Sequence, residues 1–169
     1  MSNISAQSLA AAPPPVEKLG GGPHSKNSLR VWLKLLSCTA TLEKSLRSRF
    51  QTQFDTTLPR FDVMSALDRH PDGLTMSELS AMLMVSNGNS TGIVKRLEEE
   101  GLVQRASLEH DRRTSVVRLT DKGTQAFRDM AKHHESWIDA LFGDLSTAEI
   151  EALMALIDKV RASAAHHLD

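Results

Sequence analysis

The chain of 169 residues holds one cysteine, Cys38, no tyrosine, and only 4% aromatic residues. A single cysteine excludes an internal disulfide framework and fits a reducing compartment. Cys38 also lies amid leucines with no resolving cysteine and no activating cation beside it, which argues against a redox sensor. Scarce aromatics, set beside seven methionines and plentiful leucine and alanine, favour helix packing over a β-sandwich. No stretch approaches the roughly 18 uninterrupted apolar residues of a membrane span. No Lys or Arg precedes the short Ala10-Ala11-Ala12 run, so the N-terminus makes a poor signal peptide, and a soluble, cytoplasmic protein is expected. The formal net charge of −1 gives no global attraction for nucleic acid, so any basic surface must be local. No Ser/His/Asp ordering, phosphate loop or spaced set of metal ligands is present, so neither an enzyme nor a cofactor is expected. His133-His134 and His166-His167 do not alter this, because adjacent histidines on a helix face different ways.

What is present divides the chain into four parts. Residues 1–26 carry Pro13-Pro14-Pro15 and Gly20-Gly21-Gly22 with few large apolar groups and read as a flexible arm. Residues 27–56 form a first dimerisation helix: Trp32, Leu35, Leu36, Thr39, Leu42, Leu46 and Phe50 recur at three- and four-residue steps, predicting an amphipathic helix to about Phe50. Leu29, Leu33, Cys38 and Ala40 widen its apolar surface, so it needs two partners. Residues 57–119 read as a DNA-binding module. Thr57 and Pro59 open a helix with Phe61, Met64 and Leu67 inward. Pro71-Asp72-Gly73 is a turn, and Thr75 with Glu78 forms a capping box before a short helix with Leu79, Met82 and Leu83 inward. Ser86 can cap the next helix, which Ile93, Val94 and Leu97 anchor and Gly101 ends. Leu102–Arg105 and Val116–Leu119 are β-rich runs around a charged loop. Residues 120–169 hold two further dimerisation helices, capped by Thr120 and by a Ser146/Glu149 box. Phe127, Met130, Trp137 and Ile138 line the first of them, and Ile150, Leu153, Met154, Ile157 and Val160 the second. Left in water, such stripes cost about 1.5–3 kcal/mol per large side chain. A second copy covering them would bury about 2,000 Å² or more.

The order helix, turn, helix, hairpin defines a mainly α (α+β) winged helix-turn-helix. The second helix of such a module enters the major groove with its N-terminal residues against base edges. Here those are Ser86, Asn87, Gly88, Asn89, Ser90 and Thr91. Asparagine can bind adenine through two bonds, and hydroxyls serve bases or phosphates. Gly88 and Gly92 allow close backbone approach, and Lys95 and Arg96 can reach the flanking phosphates. Six small or polar residues in seven positions exceed what capping needs. In the loop, Arg112 and Arg113 can enter a minor groove, with Asp111 orienting a guanidinium fork.

The segment VSNGNSTGIVKRLEEEGLVQR, followed by DRRTSVVRLTDKG, resembles the MarR family of bacterial transcription regulators, the likeness running from about Leu29 to Arg161. It implies a homodimer whose first, fifth and sixth helices interlock above two winged modules, bound to a pseudo-palindromic double-stranded operator. By the same likeness the recognition helix is Ser86 to Glu100. Many members carry an apolar residue where Ser90 stands and a larger one where Gly92 stands, so base preference is not carried over. Members commonly repress genes and leave DNA on binding a small, often aromatic, ligand. The matching cleft positions are Trp32, Leu36, Phe50, Phe54, Phe61, His70, His134 and Trp137; Arg47 and Arg49 could meet a ligand carboxylate or phosphate. The H-E-S-W run from His134 to Trp137 is similar to members controlling aromatic-acid catabolism, which suggests an aromatic acid or its acyl-CoA thioester as effector. The expectation is thus a ligand-responsive homodimeric repressor. A protein-interaction adaptor that kept the scaffold and lost DNA binding is the alternative, permitted by the near-neutral charge and the acidic Glu98-Glu99-Glu100 run.

Overall fold

A computed structural model describes residues 22–83, 87–107 and 115–166. The chain divides into two units, Met1–Ala40 and Thr41–Asp169. In the first, the described residues from Pro23 on are helical, and Leu29, Val31, Trp32, Leu33 and Leu36 are exposed. They belong to helix α1, Pro23–Phe54.

Helix α1 outlasts the expected end at Phe50 by one turn. Its last ring, Phe54, lies 6.4 Å from Phe50, 5.1 Å from His133 and 6.1 Å from Trp137. These contacts carry the helix across the polar Gln51-Thr52-Gln53, which periodicity alone reads as the end. Asp55 then turns left-handed at φ 47°, and the Thr56 N–H reaches back to the Phe50 carbonyl at 3.3 Å, closing the end of the helix. The Asp55 carboxylate accepts from Gln51 Nε2 at 2.8 Å, which helps a non-glycine residue hold that conformation.

Helix α2, Leu58–Asp68, buries Leu58, Phe61, Val63, Met64, Ala66 and Leu67. The expected Thr57 cap takes a different form: its hydroxyl makes no capping bond, and its carbonyl instead accepts the N–H groups of Arg60 and Phe61 at 3.0 and 3.2 Å. Helix α3, Met76–Leu83, begins with the expected box. The Thr75 N–H donates to the Glu78 carboxylate at 2.8 Å, and the Glu78 N–H returns to Thr75 Oγ1 at 3.2 Å. Leu79 is fully buried, but Met82 is not inward: it is 44% exposed. In two turns of helix the buried sector runs from Leu79 through Leu83 to Ser80, and Met82 falls on the other side of Leu79.

Helix α4, Asn87–Glu99, is followed by strands β1, Val103–Ser107, and β2, Ser115–Leu119. The strands pair antiparallel with Val103 opposite Leu119 and Ser107 opposite Ser115. Each is longer than the apolar runs suggested, because backbone pairing continues through Ala106, Ser107 and Ser115. Leu74 adds a bridge to Val117, with bonds of 3.0 and 2.8 Å, so the segment before α3 is tied to the wing. Helix α5, Asp121–Leu141, is capped by the Thr120 hydroxyl accepting from the Gly123 N–H at 3.0 Å. Helix α6, Thr147–Ala165, carries the Ser146/Glu149 box and buries none of its described side chains. One core joins Leu46 and Phe50 of α1 to α2, α3, α4, both strands and α5. Among the described residues no helix is long and apolar enough to cross a membrane.

Candidate nucleic-acid interface

Helices α3 and α4 with the β1–β2 hairpin are a winged helix-turn-helix, and α4 is its second helix. Val94 and Leu97 are fully buried and Ile93 half-buried, which fixes α4 against α2 and α3. On the opposite side Asn89, Thr91, Gly92, Lys95 and Arg96 are exposed. A Cβ on Gly92 would meet nothing within 4 Å, so the fold does not require glycine there. The first turn holds no acidic residue, leaving the positive end of the helix dipole available to an anion.

One expected base contact must be withdrawn. Ser90 is 0% exposed, because it lies on the same line of the helix as Val94 and Leu97, at steps of four and seven residues. It is a small buried residue that continues the line of Val94 and Leu97. Ser86, Arg112 and Arg113 lie outside the described residues, as do the side chain of Asn87 and the exposure of Gly88.

The acidic end of α4 is exposed, and each of its glutamates has a basic partner. Glu98 pairs with Arg105 at 3.4 Å, Glu99 with Lys95 at 3.8 Å, and Glu100 with Arg60. Lys95, expected to hold phosphate, therefore shares its charge with Glu99. Both of those groups are well exposed, and such surface pairs contribute at most about 1 kcal/mol, so Lys95 can exchange partners readily. Gly101, at φ 70°, closes the helix with N–H bonds from Gly101 to Glu98 and from Leu102 to Leu97, both 2.9 Å. The next element grips the same turn: Lys122 Nζ donates to the Glu100 carbonyl at 2.7 Å, the Thr120 hydroxyl to that of Gly101 at 2.8 Å, and the Thr120 N–H to that of Leu102 at 3.0 Å.

The residues expected to line a ligand cleft separate into groups. Phe50, Phe54, Phe61, His134 and Trp137 do come together. Phe50 lies 4.7 Å from Phe61, 5.1 Å edge-on from Trp137 and 5.9 Å stacked on His134. Sequence reasoning missed two further rings: Phe127, stacked 5.4 Å from Phe61, and His133 beside Phe54. Phe50, Phe61 and Trp137 are buried, so much of this group is packed core. His70 stands elsewhere, its Nδ1 2.8 Å from the Ala66 carbonyl. Trp32 and Leu36 belong to the first unit, where Trp32 is 56% exposed. The two arginines part company, as residues two apart on a helix must. Arg49 lies over the Trp137 ring at 5.8 Å. Arg47 pairs with Glu43 at 2.8 Å and lines a cleft of about 480 Å³ with Asp62, Arg69, Met82 and Asn89. Burial, and then the Glu43 carboxylate, raise the Asp62 pKa above the ordinary aspartate value, against the lowering effect of Arg47. Among the described residues no cluster of three His, Cys, Asp or Glu side chains could hold a metal ion.

Burial among the rings lowers the His134 pKa below the usual 6.5. The folded chain therefore binds this proton less readily than the unfolded one. His134 leaves stability intact above pH 6.5 and lowers it as pH falls through the folded value. Thermal midpoints should decline more steeply below pH 6.5 in the native chain than in His134→Leu; equal slopes would mean that the imidazole is not held neutral by burial.

The comparisons with known proteins follow the same lines. Residues 54–114 match the model of the MarR family. An uncharacterized HTH-type transcriptional regulator of Bacillus cereus is 30% identical over 131 residues, 77% of this chain and 86% of that one. The regulator YfiV of Bacillus subtilis is 36% identical over 76 residues, 45% of this chain and 47% of its own length, so the match spans about half of that relative. The transcriptional activatory protein BadR of Rhodopseudomonas palustris is 27% identical over 139 residues, 78% of this chain and 79% of that one. A MarR family transcriptional regulator from Silicibacter pomeroyi superposes with a TM-score of 0.74 at 29% identity, covering 85% of this chain and 99% of that one. The fold is that of a winged helix-turn-helix transcriptional regulator. The chain belongs to the MarR family.

Proposed function

We propose that this regulator reads duplex DNA as a homodimer, inserting the leading end of α4 into the major groove and holding phosphate with Lys95 and Arg96. The observation that carries the reading is the polarity of α4: a small, exposed, polar flank at Asn89, Thr91 and Gly92, on a helix whose other face is buried in the core at Val94 and Leu97. Ser86, Asn87, Gly88, Arg112 and Arg113 complete the proposed contact set. Residues 57–119 are the DNA-binding module, and residues 27–56 and 120–169 supply the dimer. Exposed Met154, Leu156, Ile157 and Val160 on α6 favour self-association, to be checked by sedimentation. A small aromatic acid or its acyl-CoA thioester would be the effector, with Phe54, His134 and Trp137 nearest to it. Repression is the reading put forward for the native operator. BadR, an activatory relative, makes a reporter assay in both directions the appropriate check. The adaptor alternative keeps its acidic run, whose three glutamates are exposed though paired, and enrichment of a duplex is what would decide against it.

The test is selection of bound duplexes from a random pool. Half-sites should lie about 10 bp apart or a multiple of that. Asn89→Ala should lose about 1–3 kcal/mol of discrimination at one base position, whereas Ser90→Ala, a change behind the helix, should leave base preference as it was. If the protein enriches no duplex, the DNA-reading function is wrong; if Ser90→Ala alters the preferred base, so is the orientation of α4.

A further inference from the structure

Arg60 has no role assigned by the pattern of the sequence or by the proposed DNA contacts, yet it stands at the mechanical end of the recognition helix. It lies in the first turn of α2, and its guanidinium donates to the carboxylate of Glu100, 40 residues on and immediately past the end of α4. The two groups differ in exposure: the Arg60 side chain is 16% exposed and that of Glu100 47%. Arg60 Nε is buried without a hydrogen-bond partner, so the carboxylate is what compensates this charge.

The space around the pair is open. On one side Arg60 borders a hollow of about 560 Å³ with Phe54, Met64, Leu102 and Met130. On the other it borders a groove of about 200 Å³ with Asn89, Gly92 and Arg96, residues of the exposed flank of α4. Close packing does not wedge α4 against α2 at this end. Val94 and Leu97, both fully buried, hold the middle of the helix and act as a pivot. A pivot leaves the angle open; Thr120 and Lys122 hold the backbone at this end from the side of α5, and Arg60 ties it to α2.

We propose that the Arg60–Glu100 pair sets the tilt of the recognition helix, making Arg60 a positioning residue for base discrimination without touching DNA. This rests on the DNA-reading function above. The pair is asymmetric. Removing Glu100 strands a largely buried cation, whereas removing Arg60 leaves a carboxylate half in water. Glu100→Ala is therefore the more damaging change.

The test uses the full chain, a duplex that the wild type selects from a random pool, and a scrambled duplex of equal length. Glu100→Ala should lower affinity for the selected duplex by roughly tenfold or more. Affinity for the scrambled duplex and the slope of log affinity on log salt should stay unchanged, because no phosphate contact is lost. Arg60→Met should cost less. The swap Arg60→Glu with Glu100→Arg should restore selective binding to within about threefold. Should Glu100→Ala fail to fold, Arg60→Met and the swap decide the matter. Equal losses on both duplexes, no loss on either, or a swap that restores nothing would overturn the role of the pair. A wild type that selects no duplex overturns the DNA-reading function and this proposal with it; one that selects normally beside unaffected variants overturns the pair alone.

Discussion

Gly123→Ala is expected to destabilise the protein by about 3 kcal/mol, a large fraction of the margin of an ordinary domain. Gly123 is buried in the first turn of α5, and a Cβ there would lie 1.9 Å from the Leu102 carbonyl oxygen and 2.9 Å from its carbon. Those are backbone atoms of the turn joining α4 to β1, so no side chain can swing aside; α5 or the wing has to move. Urea denaturation should show a lower midpoint with an unchanged slope if the native state relaxes locally. DNA binding should weaken in the same variant, since the displaced backbone is continuous with the recognition helix. A midpoint within about 1 kcal/mol of wild type would show that α5 does not pack on Leu102 as closely as described.

Phe50→Ala is expected to cost about 3–5 kcal/mol. Phe50 is fully buried and is the hub of the ring cluster, within 6.4 Å of Phe54, Phe61, His134 and Trp137. Truncation leaves an apolar hole with stiff walls, the kind of site that stays dry and accepts a small aromatic molecule. Benzene should therefore raise the thermal midpoint of Phe50→Ala. The wild type distinguishes two roles for the rings. A rise with benzoate but none with benzene would place a carboxylate-reading effector site there, beside Arg49. No response to either would leave the cluster as core, and the effector would have to be sought in the cleft of Arg47 and Asp62.

Local chemistry made much of this fold legible. The capping boxes at Thr75/Glu78 and Ser146/Glu149 and the Thr120 cap are encoded within four residues, and the turn at Gly101 needs only a left-handed position. What could not be read depends on partners distant in the chain. The last turn of α1 exists because Phe54 meets rings on α5, and nothing near Gln51 announces that. Met82 and Leu83 are equally apolar neighbours, and only the narrow sector that α3 buries separates them. Ser90 reads as one more polar residue of a DNA-facing run until its alignment with Val94 and Leu97 is followed around the helix. Periodicity places Ser90 inward, against its hydrophilic character. The partners of two of the exposed glutamates are hidden for a related reason: Arg60 is far away in sequence, and Arg105 sits across the turn on β1.

The grip of α5 on the end of α4 has a consequence for signalling. Three successive carbonyls, those of Glu100, Gly101 and Leu102, are taken by two residues, Thr120 and Lys122. These bonds couple the start of α5 to the rear of α4, so a rotation of α5 about its own axis would turn α4 with it.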